Sequence, residues 1–143
     1  MSVDIALPEN YIFSTDITVY INDLAGGLHV GNHVLISYLN EAQMRLISAL
    51  GFPTLLVNNC ITYNVDLTAQ YRAEARYGDP IFIQAAICNL QEKGYDIIFR
   101  MSNKNTAKEI LRAKAGMVFV DQKMGKVVSI PDAFIKAINN MAS

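Results

Sequence analysis

One stretch of this sequence gathers residue types that do chemistry: Asn22-Asp23-Leu24-Ala25-Gly26-Gly27-Leu28-His29-Val30-Gly31-Asn32. It holds a carboxylate, an imidazole, side-chain amides and three glycines. An imidazole is a general base near neutral pH, and a carboxylate can activate water in the same way. Paired glycines permit a tight turn and let a ligand come close to the main chain. Helical spacing begins at Asn32, so the unsatisfied N–H groups of a first turn point back at this segment. Donors of that kind stabilise the negative charge that develops on a carbonyl oxygen under attack. Asp23, His29 and Asn32 are therefore candidate catalytic residues, and Gly31 and Asn32 mark where a substrate carbonyl would bind. Taken one at a time, Gly26-Gly27 reads more simply as a turn and Asn32 as a helix cap.

A second carboxylate, Glu41, falls on the helix itself, on a polar stripe with Ser37, Arg45 and Ser48. It is the fourth catalytic candidate, and equally a salt-bridge partner for Arg45 one turn on. His29 and His33 are four residues apart, a spacing that suits a metal when both lie on one helix. Gly31 and the expected cap at Asn32 come between them, so no metal is expected, and no other cofactor is called for. Asp79, in Gly78-Asp79-Pro80, reads as turn chemistry.

The elements that must position these groups follow from hydrophobic periodicity. Ile17, Val19 and Ile21 alternate with Thr18, Tyr20 and Asn22, a half-buried strand. From Asn32 to Leu50 the step changes to three and four, through Leu35, Leu39, Ala42, Leu46 and Ala49, with Asn32 as N-cap and Gly51 as the stop. Alternation then returns. Ile61, Tyr63, Val65 and Leu67 share one face of a strand, then Ile81, Ile83, Ala85 and Ile87, then Tyr95, Ile97, Phe99 and Met101, then Leu111, Ala113, Ala115, Met117 and Phe119. Pro131 opens a short C-terminal helix with Phe134, Ile135 and Ile138. Short links between these strands predict an antiparallel sheet. A single long helix, apolar over more than half its circumference, must be covered by that sheet. The expected fold is α+β: one antiparallel sheet wrapped around one long central helix, forming a single domain over residues 1–143.

At 143 residues the chain can bury a core of its own. Apolar residues make up 52% and charged residues 17%, with a mean hydropathy of +0.21, which implies further surface buried between subunits. The net charge of -1 and the lack of a Lys/Arg cluster exclude bulk attraction to nucleic acid or to an anionic membrane. No apolar run is long enough to span a bilayer, and the start Met1-Ser2-Val3-Asp4 has neither the basic residues nor the apolar run of a signal peptide. A cytoplasmic location is expected, where Cys60 and Cys88 would be small reduced thiols.

A strand, then Asp23-Leu24 with His29-Val30 and Asn32, then a helix containing Glu41-Ala42, resembles the hot-dog thioesterases of the 4-hydroxybenzoyl-CoA thioesterase type and the plant acyl-ACP thioesterases. Tyr71-Arg72-Ala73-Glu74-Ala75-Arg76-Tyr77-Gly78-Asp79 is similar to that superfamily's second-strand signature, in which a Tyr precedes a Gly-Asp turn. Val118-Phe119-Val120-Asp121, Gly125-Lys126 and Ile130-Pro131 resemble its closing strand and tail. The pieces are individually degenerate, and their succession along nearly the whole chain carries the resemblance.

The resemblance implies a hot-dog fold and hydrolysis of an acyl-CoA or acyl-ACP thioester without a cofactor. It also implies a homodimer or homotetramer with sites between subunits. His29 and Asn32 match the His and Asn that acyl-ACP thioesterases carry in this loop, and Glu41 matches the Glu of their central helix. One departure stands out. The family loop usually reads Asp-x-Asp, its second carboxylate doing the attack or activating water, and Ala25 stands there while Asp23 matches the first. Either Asp23, or another residue such as His29 with help from Glu41, has taken the role, or hydrolysis is lost. A hot-dog hydratase or dehydratase acting on acyl thioesters, and a non-catalytic acyl-CoA-binding protein, are the alternatives.

Overall fold

A computed structural model describes residues 3–142; Met1-Ser2, where a signal peptide would begin, lie outside the described residues. Four long strands dominate: β4 (Cys60–Tyr71), β5 (Pro80–Cys88), β6 (Tyr95–Asn103) and β7 (Glu109–Asp121). With β1 (Phe13–Thr18) they form an antiparallel sheet in the order β1-β5-β6-β7-β4, to which β8 (Val127–Val128) adds beside β7. The helix α1 (Asn32–Ala49) and the shorter α2 (Asp132–Ala142) complete the core, and β2 (Leu24–Ala25) pairs with β3 (His29–Val30) in a separate small hairpin. This is the hot-dog architecture.

The alternation read from the sequence holds in β6 and β7. Tyr95, Ile97, Phe99 and Met101, and Leu111, Ala113, Ala115, Met117 and Phe119, are all buried on the face that meets the helices. In β5, Ile81, Ile83 and Ala85 are buried while Ile87 is half-buried. On α1, Leu35, Leu39, Ala42 and Leu46 are buried as expected, Ala49 is exposed, and Leu50 closes the stripe instead. Gly51 stops the helix at φ 107, where its N–H reaches Ser48 O at 3.0 Å and Phe52 N–H reaches Ile47 O at 3.3 Å. That pair of bonds is the Schellman closure, and its left-handed residue favours glycine.

Four expectations are corrected. Strand β1 ends at Thr18, so Ile21 leaves the pattern and sits exposed in a single 3-10 turn over Ile21–Asp23. The residue before Asn32, Gly31, is the N-cap, and it supplies no side chain to the first turn. The link between β4 and β5 is not a hairpin, because β4 pairs with β7 and β5 with β1 and β6. Finally, β4 does not keep one phase. A bulge lies between Asn64 and Asp66, and Asp66 Oδ1 accepts from Gly116 N at 3.0 Å. An extra residue inverts all later side chains. Thr62 and Asn64 therefore pair with buried Phe119 and Met117 before the bulge, whereas Leu67, Ala69 and Tyr71 pair with buried Ala115, Ala113 and Leu111 after it.

The sheet's other face carries Gln84, Arg100, Arg112 and Gln70. Glu109 binds Arg112, Arg100 and Arg72 at 2.8, 3.1 and 3.3 Å, and the hydrogen bond from Arg112 outweighs burial in holding its carboxyl below the usual value. The N-terminal segment runs across this face, where Ile5 N–H donates to Gln70 and Arg112 donates to Ile5 O.

At one end of the core Tyr95, Phe119 and Phe134 stack with centroids 4.9–5.8 Å apart, which fixes α2 to the sheet. Phe134 is fully buried, so Phe134→Ala is expected to cost about 3 kcal/mol in urea unfolding, in the range for deleting a core aromatic.

Candidate active site

The hairpin of β2 and β3 is clamped at the start of α1. Leu24 pairs with Val30 and Ala25 with His29, around a turn of Gly26, Gly27 and Leu28. Gly27 and Leu28 both have positive φ, 78° and 69°, conformations that Gly27 adopts freely and Leu28 only under local strain. The β4–β5 link pins the hairpin from outside. Val30 N–H donates to Ala75 O at 2.8 Å, His29 bridges to Arg76, and Gly78 N–H donates to Val19 O at 3.3 Å. Asp79 caps its own turn by accepting from Arg76 N at 2.8 Å, the role expected of it.

Paired residues on adjacent strands point to one face, and so do residues two apart. Ala25, His29 and Gly31 therefore share a face, opposite to that of Leu24 and buried Val30. The first free N–H groups of α1 open onto the same place. Gly31 O already accepts from Val34 and Leu35, while Asn32 and His33 N–H have no helical partner. Because Gly31 has no capping side chain, those donors stay available to a carbonyl or oxyanion.

Asp23 is engaged elsewhere. Its Oδ2 accepts from Tyr38 OH at 2.7 Å and from Tyr20 N–H at 3.0 Å. Tyr38 is buried on α1, so the phenol needs a partner and Asp23 supplies it, tying the loop to the helix. Burial, and then the hydrogen bond to Asp23, push the Tyr38 phenol far above its ordinary value. Glu41 stands apart from the hairpin. It pairs with Arg45 at 3.0 Å, and Arg45 in turn donates to Thr15 Oγ1 and Asp16 O. Nine residues beyond Asn32, it lies about 13 Å further along the helix axis. The structure thus brings His29, Gly31 and Asn32 together, attaches Asp23 from behind, and leaves Glu41 with Arg45 and β1.

Two residues carry more here than their sequence positions suggested. A Tyr within the helix's buried stripe was the available signal for Tyr38, since a buried phenol demands an acceptor. The other is Gln43, buried on α1, which donates to Asn64 at 3.1 Å beside the β4 bulge. An open cavity of about 330 Å³ adjoins the hairpin, lined by Ile21, Leu24, Leu28, Arg76 and Tyr77. Among the described residues no cluster of three or more His, Cys, Asp or Glu could hold a metal ion, and no helix is long and apolar enough to cross a membrane.

Residues 19–138 match the family model of the thioesterase-like superfamily. The chain belongs to this superfamily. Thioester hydrolysis is the activity that membership carries. Among solved structures, a 1,4-dihydroxy-2-naphthoyl-CoA thioesterase from Synechocystis superimposes with a TM-score of 0.80 at 19% identity, covering 92% of this chain and 98% of that one. A Thermus thermophilus thioesterase bound to coenzyme A and zinc gives 0.80 at 17% identity, with 94% and 96% covered. A Pseudomonas aeruginosa protein described as a putative thioesterase gives 0.82 at 17% identity, with 90% and 99% covered. At such identities these likenesses establish the fold. No curated protein sequence matches the chain significantly.

The Tyr38–Asp23 bond makes a measurable prediction. Tyr38→Phe should destabilise the protein by about 1 kcal/mol at neutral pH and speed hydrogen exchange over residues 20–25. A phenol whose value is raised on folding stabilises fully below about pH 10 and progressively less above it, so the variant should also lose that alkaline decline in urea unfolding.

Proposed function

We propose that the protein hydrolyses acyl-CoA thioesters to the free acid and thiol, at a site completed between two copies of the chain. The observation that carries this reading is the N-terminus of α1, without a capping side chain and opening beside the glycine-rich hairpin in a member of the thioesterase-like superfamily. Asn32 and His33 N–H would hold the thioester oxygen, Gly31, as a cap without a side chain, would leave those donors open to it, and His29 would line the approach on the same face. The apolar cavity beside the hairpin suits the hydrocarbon part of the substrate. Acyl-ACP would present the same thioester on a larger carrier. Asp23 acts here by holding the loop, and Glu41 is left out of the chemistry. The domain would be a single one operating in the cytoplasm.

Pairing between copies is supported by β4. It is an edge strand with one free side, and beyond the bulge Leu67 and Tyr71 turn to the core face yet remain 39% and 46% exposed. Apolar side chains on the covered face of a sheet, with nothing over them, call for a cover. A homodimer is the minimal unit this implies, with a homotetramer built from it.

Release of free thiol from short, long and aromatic acyl-CoAs is the direct test. Turnover of at least one class is expected, and none with any of them would sink the hydrolysis reading. His29→Ala should raise KM more than it lowers kcat. In sedimentation, Leu67→Lys should shift the protein towards monomer, and activity should fall with the dimer fraction.

A further inference from the structure

Gly31 has φ −65° and ψ 147°, a conformation open to any residue, so its lack of a side chain must serve space. A Cβ there would lie 2.8 Å from His33 Cε1, 3.0 Å from His33 Nδ1 and 3.2 Å from the Ala25 methyl carbon. Helical side chains lean towards the N-terminus, and His33, second in the helix, leans onto its own cap. The His33 ring and the Ala25 methyl group thus both approach the one place where a side chain at Gly31 would stand.

We propose that His33 is the general base of the thioesterase reaction; this rests on the hydrolysis reading above. His33 stands where the open N–H groups of α1 begin. It is exposed and has no hydrogen-bond or ion-pair partner among the described residues, so its lone pair is free. The other candidates are placed less well. Asp23 is bound by Tyr38 and Tyr20, Glu41 by Arg45, and the His29 ring leans back over the turn, its Nδ1 3.7 Å from where a Gly27 Cβ would sit.

In the proposed step a water held by the neutral imidazole gives it a proton as the oxygen attacks the thioester carbonyl carbon. The carbonyl oxygen takes the negative charge under the Asn32 and His33 N–H groups. When the tetrahedral species collapses, the C–S bond breaks, and the thiolate recovers the proton from the imidazolium. Water and thioester become acid and thiol, and His33 returns unchanged.

The test uses the acyl-CoA that the wild type turns over best. His33→Ala should lower kcat about 100-fold with little change in KM or melting temperature, the scale of a lost general base. Free imidazole should restore part of the rate, which a structural role would not allow. Because the Ala25 methyl group and the His33 ring both approach the same place beside Gly31, Ala25→Asp combined with His33→Ala should also recover activity by returning a base there. His33→Ala keeping half or more of kcat would overturn the role. So would a loss that neither imidazole nor the double variant repairs. No turnover by the wild type would instead remove the hydrolysis reading, and His33's role with it.

Discussion

Everything at this site depends on a helix whose cap brings no side chain. Many helices satisfy one of their first N–H groups with a Ser, Thr, Asp or Asn side chain, and a Gly in that place costs only about a few tenths of a kcal/mol. Here Gly31 occupies that position and Asn32 falls one place too late. The cost is tolerated because α1 is held by its long buried stripe, from Leu35 to Leu50, against the sheet. Burial of that stripe outweighs the missing capping side chain several-fold, at roughly 1.5–3 kcal/mol for each large side chain. The donors are thus left open by a helix that cannot fray away from them.

The same constraint explains how the neighbouring pieces are arranged. A hairpin with only two residues in each strand is not stable alone. It is fixed from outside by Ala75 and Arg76, and from behind by the Asp23–Tyr38 bond. The Asp23 carboxylate thus ties the loop to α1. With Ala25 contributing a methyl group, the face that meets the open N–H groups carries no carboxylate. Imidazoles are what remain there, and the two differ in lean: His29 over its turn, His33 over the cap.

The bulge in β4 performs a separate task. Before it, Asn64 meets the buried amide of Gln43, and after it the strand turns Leu67 and Tyr71 to the side of the helices. Asp66 locks the change of phase through Gly116 N–H. One inserted residue thus converts an ordinary edge into an edge with an apolar underside, the kind of surface that a second copy can cover.

Much of the fold was legible from residue order alone. The alternation in Tyr95–Met101 and Leu111–Phe119 and the helical spacing in Leu35–Leu46 fix which side of each element is buried, because period two and period 3.6 are consequences of backbone geometry. The loop from Asp23 to Asn32 stood out equally as the place where residue types capable of chemistry gather. What the sequence could not decide was anything set by contacts between distant residues. The β4 bulge depends on Gly116, fifty positions away, and the engagement of Asp23 on a phenol carried by α1. The placement of His33 depends on the absence of side-chain atoms at Gly31. Local periodicity determined the elements and their buried faces; only tertiary packing decided which polar groups were consumed by structure and which were left free for chemistry.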